Sequence, residues 1–292
     1  MLSNFDQKTL GMLSGFVGFT CFASADACAK WLGAYYETFD VIFWTYLISL
    51  IFGLIFSPWL GGLKRTLKTV KLPVHIGRGV FALGIAGCVV KAMHLGLPLA
   101  NMYTILFLAP FLITIAAWPI YKEPVPFKNW LIIALGFTGI IVAYPPGVSA
   151  ITEAEIYAFI ALGFIIGLSI LARPLTHAES LHSLSFYPAV VTLLLCGPFV
   201  LDDIAKPALE HLPVFIMNGV FVTVGLSGIA YGFRIAPYSI VAPIHYTQMV
   251  IALIAGYLIF GDVPTFGMMA GAGIIIFSGL LLVWSKSDNQ EP

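Results

Sequence analysis

The chain is a succession of long apolar runs separated by short polar segments. A helix needs about 20 apolar residues to cross the hydrocarbon core of a bilayer. We predict ten spans at residues 10–32, 39–60, 75–97, 99–121, 128–145, 153–175, 183–202, 212–235, 238–260 and 264–285. Glycines and prolines inside these runs do not argue against helices, because membrane-spanning helices tolerate both residues. The pattern therefore predicts an all-α integral membrane protein of ten transmembrane helices.

The amino-acid composition also indicates that the chain is surrounded by lipid. The 292 residues are 60% hydrophobic and 10% charged, whereas soluble domains carry about 25% charged residues. Lysine plus arginine and aspartate plus glutamate are equal at 14 each, so no basic surplus indicates a nucleic-acid partner. Four cysteines fall inside apolar runs without the paired spacing of a metal site: Cys21, Cys28, Cys88 and Cys196. We interpret them as inert thiols and predict no metal and no cofactor.

Charge in the connecting segments predicts the orientation. With a cytoplasmic N-terminus, most basic loop residues fall on the inner side: Lys8, Lys64, Arg65, Lys68, Lys71, Lys122 and Lys128. The outer loops hold mainly acids: Glu37, Glu153, Glu155, Asp202, Asp203 and Glu210. Positive charge is enriched on the cytoplasmic side of membrane proteins, so we expect both termini inside a multi-pass protein of the inner (plasma) membrane. The first span resembles a signal peptide, but we expect it to remain as part of the bundle.

The two halves of the chain repeat. Pro98 precedes Glu123 by the same spacing as Pro237 precedes Asp262. The first span of each half also ends alike, with Ala29-Lys30 matching Ala172-Arg173. We therefore predict two units, 1–148 and 149–292, of five helices each. Since five is odd, the second unit enters the membrane inverted, and inverted repeats of this kind are a feature of secondary transporters.

Two segments carry a family resemblance. The first runs from Leu97-Pro98-Leu99-Ala100 through Ala109-Pro110-Phe111 to Lys122-Glu123-Pro124, and the second contains Gly261-Asp262-Val263-Pro264. They resemble the fourth-helix signature of the EamA family in the drug/metabolite transporter (DMT) superfamily. One departure is Tyr121-Lys122, which stands where the family has Leu-Gly. The resemblance implies a ten-helix fold with a central cavity and alternating access, and it does not name a ligand.

Intramembrane charges supply the first candidate site. An ionisable group in hydrocarbon costs about 2.5–3.5 kcal/mol on insertion scales and commonly marks a transport pathway. Asp26 and Lys91 have similar predicted depths, about 7 Å outward of the bilayer centre at 1.5 Å per residue. We predict that Asp26 holds a substrate ammonium or a coupling proton, and that Lys91 neutralises Asp26 or binds a carboxylate. Neighbours at this depth complete the set: Lys30, His94 and Trp44. The alternative is a structural pair of Asp26 with Lys30 or Lys91.

Polar groups in the ninth span supply a second candidate. Pro243 interrupts the backbone hydrogen bonding of a helix, and His245, Tyr246 and Gln248 crowd the following turn. Asn101 and Tyr103 form the matching polar stretch in the fourth span. We predict that these residues line a cavity, with helix-to-helix hydrogen bonding as the competing interpretation.

Together these features predict a secondary active transporter. Its expected cargo is a small polar or zwitterionic metabolite: an amino acid, an amine or a nucleoside-like compound such as S-adenosylmethionine. No Gly-x-x-x-x-Gly-Lys loop is present, so a proton or substrate gradient would supply the energy. Two alternatives are a membrane-embedded enzyme, which lacks an identifiable nucleophile–base set here, and a channel, which is usually an oligomer with repeated filter residues. We expect a monomer or a homodimer.

Overall fold

The computed structural model of this chain describes residues 7–57, 62, 67, 69, 71–122, 124–145, 151–172, 181–200 and 204–288. Several residues used above for orientation and for the repeat lie outside these ranges: Lys64, Arg65, Lys68, Glu123, Arg173, Asp202 and Asp203.

The described chain is helical throughout, with no strand in these ranges. The helices are α1 (Gln7–Leu32), α2 (Thr38–Phe56), α3 (Leu72–His94), α4 (Leu99–Leu106), α5 (Ala109–Tyr121), α6 (Phe127–Ala143), α7 (Glu153–Ala172), α8 (Leu181–Val200), α9 (Leu212–Ile235), α10 (Tyr238–Val241), α11 (Thr247–Phe260) and α12 (Phe266–Asp288). A 3₁₀ segment, Ala242–Tyr246, joins α10 to α11.

Membrane-length helices dominate this architecture. Within the described ranges, eight helical segments are long and apolar enough to cross a bilayer. Two shorter apolar helices, Phe127–Ala143 and Phe186–Val200, accompany them. Many large apolar side chains face outward, including Leu194, Leu258 and Phe266, as expected where the surrounding medium is hydrocarbon. The chain is a multi-pass membrane protein.

Two predicted spans are interrupted. We expected continuous helices at 99–121 and 238–260, but α4 ends at Leu106 and α5 begins at Ala109. In the ninth span, residues 242–246 adopt 3₁₀ geometry instead of α-helix. Each break lies beside a proline, Pro110 or Pro243, because proline has no N–H for the preceding turn and its ring crowds that turn.

Close helix contacts hold the bundle together. Helix α1 packs most extensively against α9, α6 against α12, and α3 against α7. At the α1–α9 contact, a Cβ atom added to Gly18 would lie 2.6 Å from the backbone nitrogen of Ile229. A Cβ added to Gly228 would lie 2.9 Å from the carbonyl oxygen of Ser14. Small residues let helix backbones approach in lipid, where dispersion contacts replace the hydrophobic effect as the driving force.

Candidate functional site

Asp26 forms a hydrogen bond inside the bundle. The Tyr103 hydroxyl on α4 donates to Oδ2 of Asp26 on α1 across 2.5 Å. Tyr103 is 3% exposed, whereas Asp26 is half-buried. Tyr46 on α2 lies close enough to interact electrostatically with the Asp26 carboxylate. Three helices therefore converge on one intramembrane acid.

A series of rings continues from Tyr103 into the second half of the chain. The Tyr103 and Phe107 ring centroids are 5.7 Å apart, and Phe107 meets His245 at 5.1 Å in an edge-to-face arrangement. His245 also lies 4.9 Å from Phe19 of α1, with the two rings tilted by 35°. Aromatic pairs at these separations contribute about 0.5–1.5 kcal/mol beyond area burial. The rings connect Asp26 to the 3₁₀ segment.

The interrupted helices supply the remaining polar groups. Gln248, 3% exposed at the start of α11, lies close enough to His245 for their side chains to interact electrostatically. Tyr246 is buried, and its ring meets Phe107 at 5.1 Å. Its hydroxyl occupies the space that a side chain at Gly279 would need. Tyr103, His245, Tyr246 and Gln248 thus belong to one interior cluster with Asp26.

Lys30 has a different partner from those we considered. Its Nζ atom lies 2.5 Å from Oδ2 of Asp262, the residue two positions beyond the end of α11. The same ammonium lies 4.5 Å from the centroid of the Phe260 ring. Among the described residues, no ion pair joins Asp26 to Lys30 or to Lys91, so the structural pairing that we considered as an alternative is not the arrangement found.

Lys91 and His94 lie near the C-terminal end of α3. The Nδ1 atom of His94 is 3.1 Å from the Thr38 hydroxyl, and the imidazole fills space that a side chain at Gly33 would occupy. Lys91 is half-buried and lies close enough to His94 for electrostatic interaction. Within the ranges given above, the Lys91 ammonium makes no hydrogen bond or ion pair, so it is available to an anionic group.

Trp44 and Asn101 lie apart from the Asp26 cluster. The Trp44 indole donates to the carbonyl oxygen of Ala205 across 2.9 Å, which ties α2 to the segment before α9. Asn101 is half-buried on α4 and lies close enough to Tyr144, at the end of α6, for electrostatic interaction. Two residues rotate a helix by about 200°, so Asn101 and Tyr103 face different sides of α4.

Several contributors to this site were not predicted from the sequence. Phe19, Tyr46, Phe107 and Phe260 are ordinary apolar or aromatic positions in the pattern, and their roles depend on three-dimensional neighbours. Asp262 carried a detectable signal, because it is an acid at the end of a span with a counterpart in the other half. We used it there only to align the two halves.

The fold and this interior polar cluster define a class of protein. A multi-pass helical bundle with an acid, a half-buried cation and interrupted helices at its centre has the organisation of a membrane transporter. Comparison with known proteins supports the same class. The model of the EamA-like transporter family matches residues 9–144 and 153–284, and the chain belongs to that family. Family membership makes the protein a transporter and not an enzyme.

Individual relatives cover most of the chain. The "S-adenosylmethionine uptake transporter" of Rickettsia bellii is 28% identical over 262 residues, covering 89% of each chain. The "Riboflavin transporter" of Brucella anthropi is 24% identical over 286 residues, covering 93% of this chain and 98% of the relative. A crystal structure of 14% identity superposes with a TM-score of 0.69, covering 97% of this chain and 99% of the other, which supports the fold.

Proposed function

We propose that this protein is a secondary active transporter that moves a small zwitterionic metabolite by alternating access. The central observation is the Asp26–Tyr103 hydrogen bond beside the rings of Phe107 and His245. We place the protein in the inner membrane with both termini in the cytoplasm, acting as a monomer or a homodimer. The energy source is a proton or substrate gradient.

Many transporters achieve alternating access by moving two related halves, and several observations support such halves here. The family model matches the chain twice, once on each side of residue 148. Contacts between the halves also occur in corresponding pairs: α2 packs on α9 as α8 packs on α3, and α1 packs on α11 as α7 packs on α4 and α5. Contacts between corresponding helices join α2 to α8, α4 to α11 and α6 to α12. Two five-helix units related by a two-fold axis produce such pairing, and we propose that the second unit is inverted because five is an odd number.

The interrupted fourth and ninth spans support a binding site at the middle of the bundle. Breaking a helix frees backbone polar groups, which is tolerated at membrane depth where the backbone is buried or lines a cavity. Transporters commonly build their sites from discontinuous helices of this kind. Here the breaks lie at Phe107–Leu108 and at residues 242–246, on either side of the ring series.

The chemistry of the cluster favours a cargo with a cationic centre and a planar group. The Asp26 carboxylate attracts an ammonium or sulfonium ion, and aromatic faces also stabilise cations. The rings of Phe19, Phe107 and His245 pack on one another in this conformation, and they would stack on a planar base once the bundle opens. The unpaired Lys91 ammonium suits a carboxylate. S-adenosylmethionine combines these features, and two relatives are named S-adenosylmethionine uptake transporters.

Uptake into proteoliposomes tests the proposal. Purified protein should accumulate radiolabelled S-adenosylmethionine, and excess unlabelled compound should abolish the signal. A proton ionophore distinguishes the energy sources, because it stops proton-coupled uptake and leaves exchange for internal substrate intact. The absence of saturable uptake under either condition, with folded protein in the vesicles, would contradict this choice of cargo.

Riboflavin is the second candidate cargo, because other relatives are named riboflavin transporters. Riboflavin has no cationic centre for Asp26 to bind. Measured as exchange without a proton gradient, riboflavin transport should therefore survive Asp26→Asn, whereas S-adenosylmethionine exchange should not. A thermal-shift screen against amino acids, amines, nucleosides, sulfonium compounds and flavins separates the classes before transport is measured, since ligands that bind the folded state raise its apparent stability.

A further inference from the structure

An ion pair joins two distant parts of the chain at one end of the bundle. Lys30 belongs to the last turn of α1, and Asp262 follows α11, 232 positions later in the sequence. Their side chains are 9% and 21% exposed. The pair is thus shielded from solvent, unlike the surface contact of His211 with Glu210, whose carboxylate side chain is 80% exposed.

Asp262 is held in place by the end of α11. The helix ends at Phe260, and the next residue, Gly261, adopts a left-handed conformation with φ of 69°. The next backbone N–H, that of Asp262, donates to the Gly256 carbonyl across 2.9 Å. Lys30, by contrast, reaches its partner along a flexible four-carbon stem and crosses the Phe260 ring. The acid is thus attached to an anchored helix end, whereas the lysine side chain has more rotatable bonds.

The ion pair lies one helical turn from Asp26. Lys30 follows Asp26 by four residues, so both side chains project from the same face of α1. That face is directed toward α4 and α11, since Asp26 meets Tyr103 and Lys30 meets Asp262. Helices α1 and α11 also pack against each other. The ion pair therefore lies between Asp26 and the C-terminal end of α1.

We propose that the Lys30–Asp262 ion pair closes the path to Asp26 at this end of the bundle and breaks when the path opens. The proposal rests on the transport function proposed above. A shielded pair suits the task, because its attraction is strong while water is excluded and weakens as water enters the gap. Opening then exchanges one compact contact for two hydrated charges.

Thiol labelling in spheroplasts tests the closure without any substrate. The four native cysteines are replaced by alanine, and Tyr46→Cys reports access to the Asp26 cluster from outside. A membrane-impermeant maleimide should label this cysteine slowly. Asp262→Asn and Lys30→Met should each raise the labelling rate about threefold or more, because the remaining charge favours the hydrated, open state. Asp262→Glu should keep the rate low.

Matched controls separate closure from general loosening. Glu210→Gln removes an exposed carboxylate at the start of α9 and should leave labelling unchanged. Tyr35→Cys, at a 56% exposed position just beyond α1, should react rapidly in every variant and confirms the orientation. Exchanging the charges, with Lys30→Asp and Asp262→Lys together, should return the rate toward that of the native pair.

Unchanged Tyr46→Cys labelling in Asp262→Asn and Lys30→Met would overturn the proposal, as would a charge exchange that labels as fast as the single variants. Two single variants probe the same contact, so loss of folding in one leaves the other informative. Since the assay contains no substrate, failure of S-adenosylmethionine uptake would contradict the proposed function while leaving this test intact.

Discussion

Tyr103 donates a 2.5 Å hydrogen bond to Asp26, although the two residues are 77 positions apart in the sequence and lie on different helices. A hydrogen bond to a charged group contributes about 1.5–3 kcal/mol. We predict that Asp26→Asn lowers S-adenosylmethionine uptake by about tenfold or more, because 1.4 kcal/mol corresponds to a factor of ten. Tyr103→Phe should raise KM with a smaller effect on the maximal rate. Initial uptake rates measure both.

The matched control for Asp26 is Asp40. This second intramembrane acid is 6% exposed, and its Oδ1 atom accepts a hydrogen bond from the backbone N–H of Ala205. An asparagine retains that acceptor, so Asp40→Asn should lose less uptake than Asp26→Asn. Equal losses in Asp26→Asn and Asp40→Asn would indicate that removing any buried carboxylate harms the bundle, and would contradict a binding role for Asp26.

Lys91 provides the second prediction. If its unpaired ammonium binds a carboxylate, Lys91→Gln should weaken the binding of S-adenosylmethionine and leave that of its decarboxylated analogue unchanged. The expected loss is about tenfold or more, as for removing one charged hydrogen-bonding partner. Ligand-induced thermal shifts at several concentrations measure it. Lys206→Gln, at an exposed position in the α8–α9 connection, should bind both compounds normally. Equal weakening for the two ligands would remove the carboxylate assignment.

The α1–α9 contact provides a prediction about stability. A side chain at Gly18 has no room, because its Cβ would lie 2.6 Å from a backbone atom of Ile229. Overpacking of this kind costs about 1–3 kcal/mol or more, so Gly18→Leu should lower the melting temperature in detergent. Gly273 of α12 is exposed with no atom within 4 Å of an added Cβ, and Gly273→Leu should be tolerated. Similar melting temperatures for the two variants would contradict the close approach of α1 and α9.

The backbone conformation of Lys122 predicts that a substitution there raises the stability of the protein. It follows α5 with φ of 56°, the one positive value at a non-glycine position among the described residues. Left-handed conformations cost L-residues about 1–2 kcal/mol, so Lys122→Gly should raise the melting temperature. Gly261 takes the same conformation after α11, and Gly261→Ala should lower the melting temperature. A destabilised Lys122→Gly variant would show that the lysine side chain makes a contact that outweighs its backbone strain.

The location of the helices was largely readable from the sequence. Hydrocarbon leaves a backbone few options, because each N–H and C=O must be satisfied within its own helix. Long apolar runs therefore predict helices even when the neighbouring helices in the bundle are unknown. The interruptions at Phe107–Leu108 and at 242–246 were missed as breaks, since proline is tolerated within such helices and only the local packing decides whether it bends or interrupts them.

The candidate residues were readable as residue types, but their contacts were not. Asp26, Lys30 and Lys91 stood out because charge is rare in apolar runs. The spacing of Asp26 and Lys30 on one helix face was compatible with a local pair, yet Lys30 contacts Asp262 and Asp26 contacts Tyr103. A helix face shows which side chains share a direction, and it does not show which partner another helix presents.

The sequence by itself determined that the chain is a helical membrane protein of the EamA type with charges inside its apolar spans. These properties depend on local composition and on short signatures that no neighbour can change. Only the tertiary structure decided that an aspartate beyond α11 pairs with the lysine at the end of α1. It likewise decided that rings from α1, α4 and the 3₁₀ segment pack together beside the Asp26–Tyr103 hydrogen bond. Such contacts join positions far apart in the chain. They arise from helix packing, so the sequence of a single segment does not predict them.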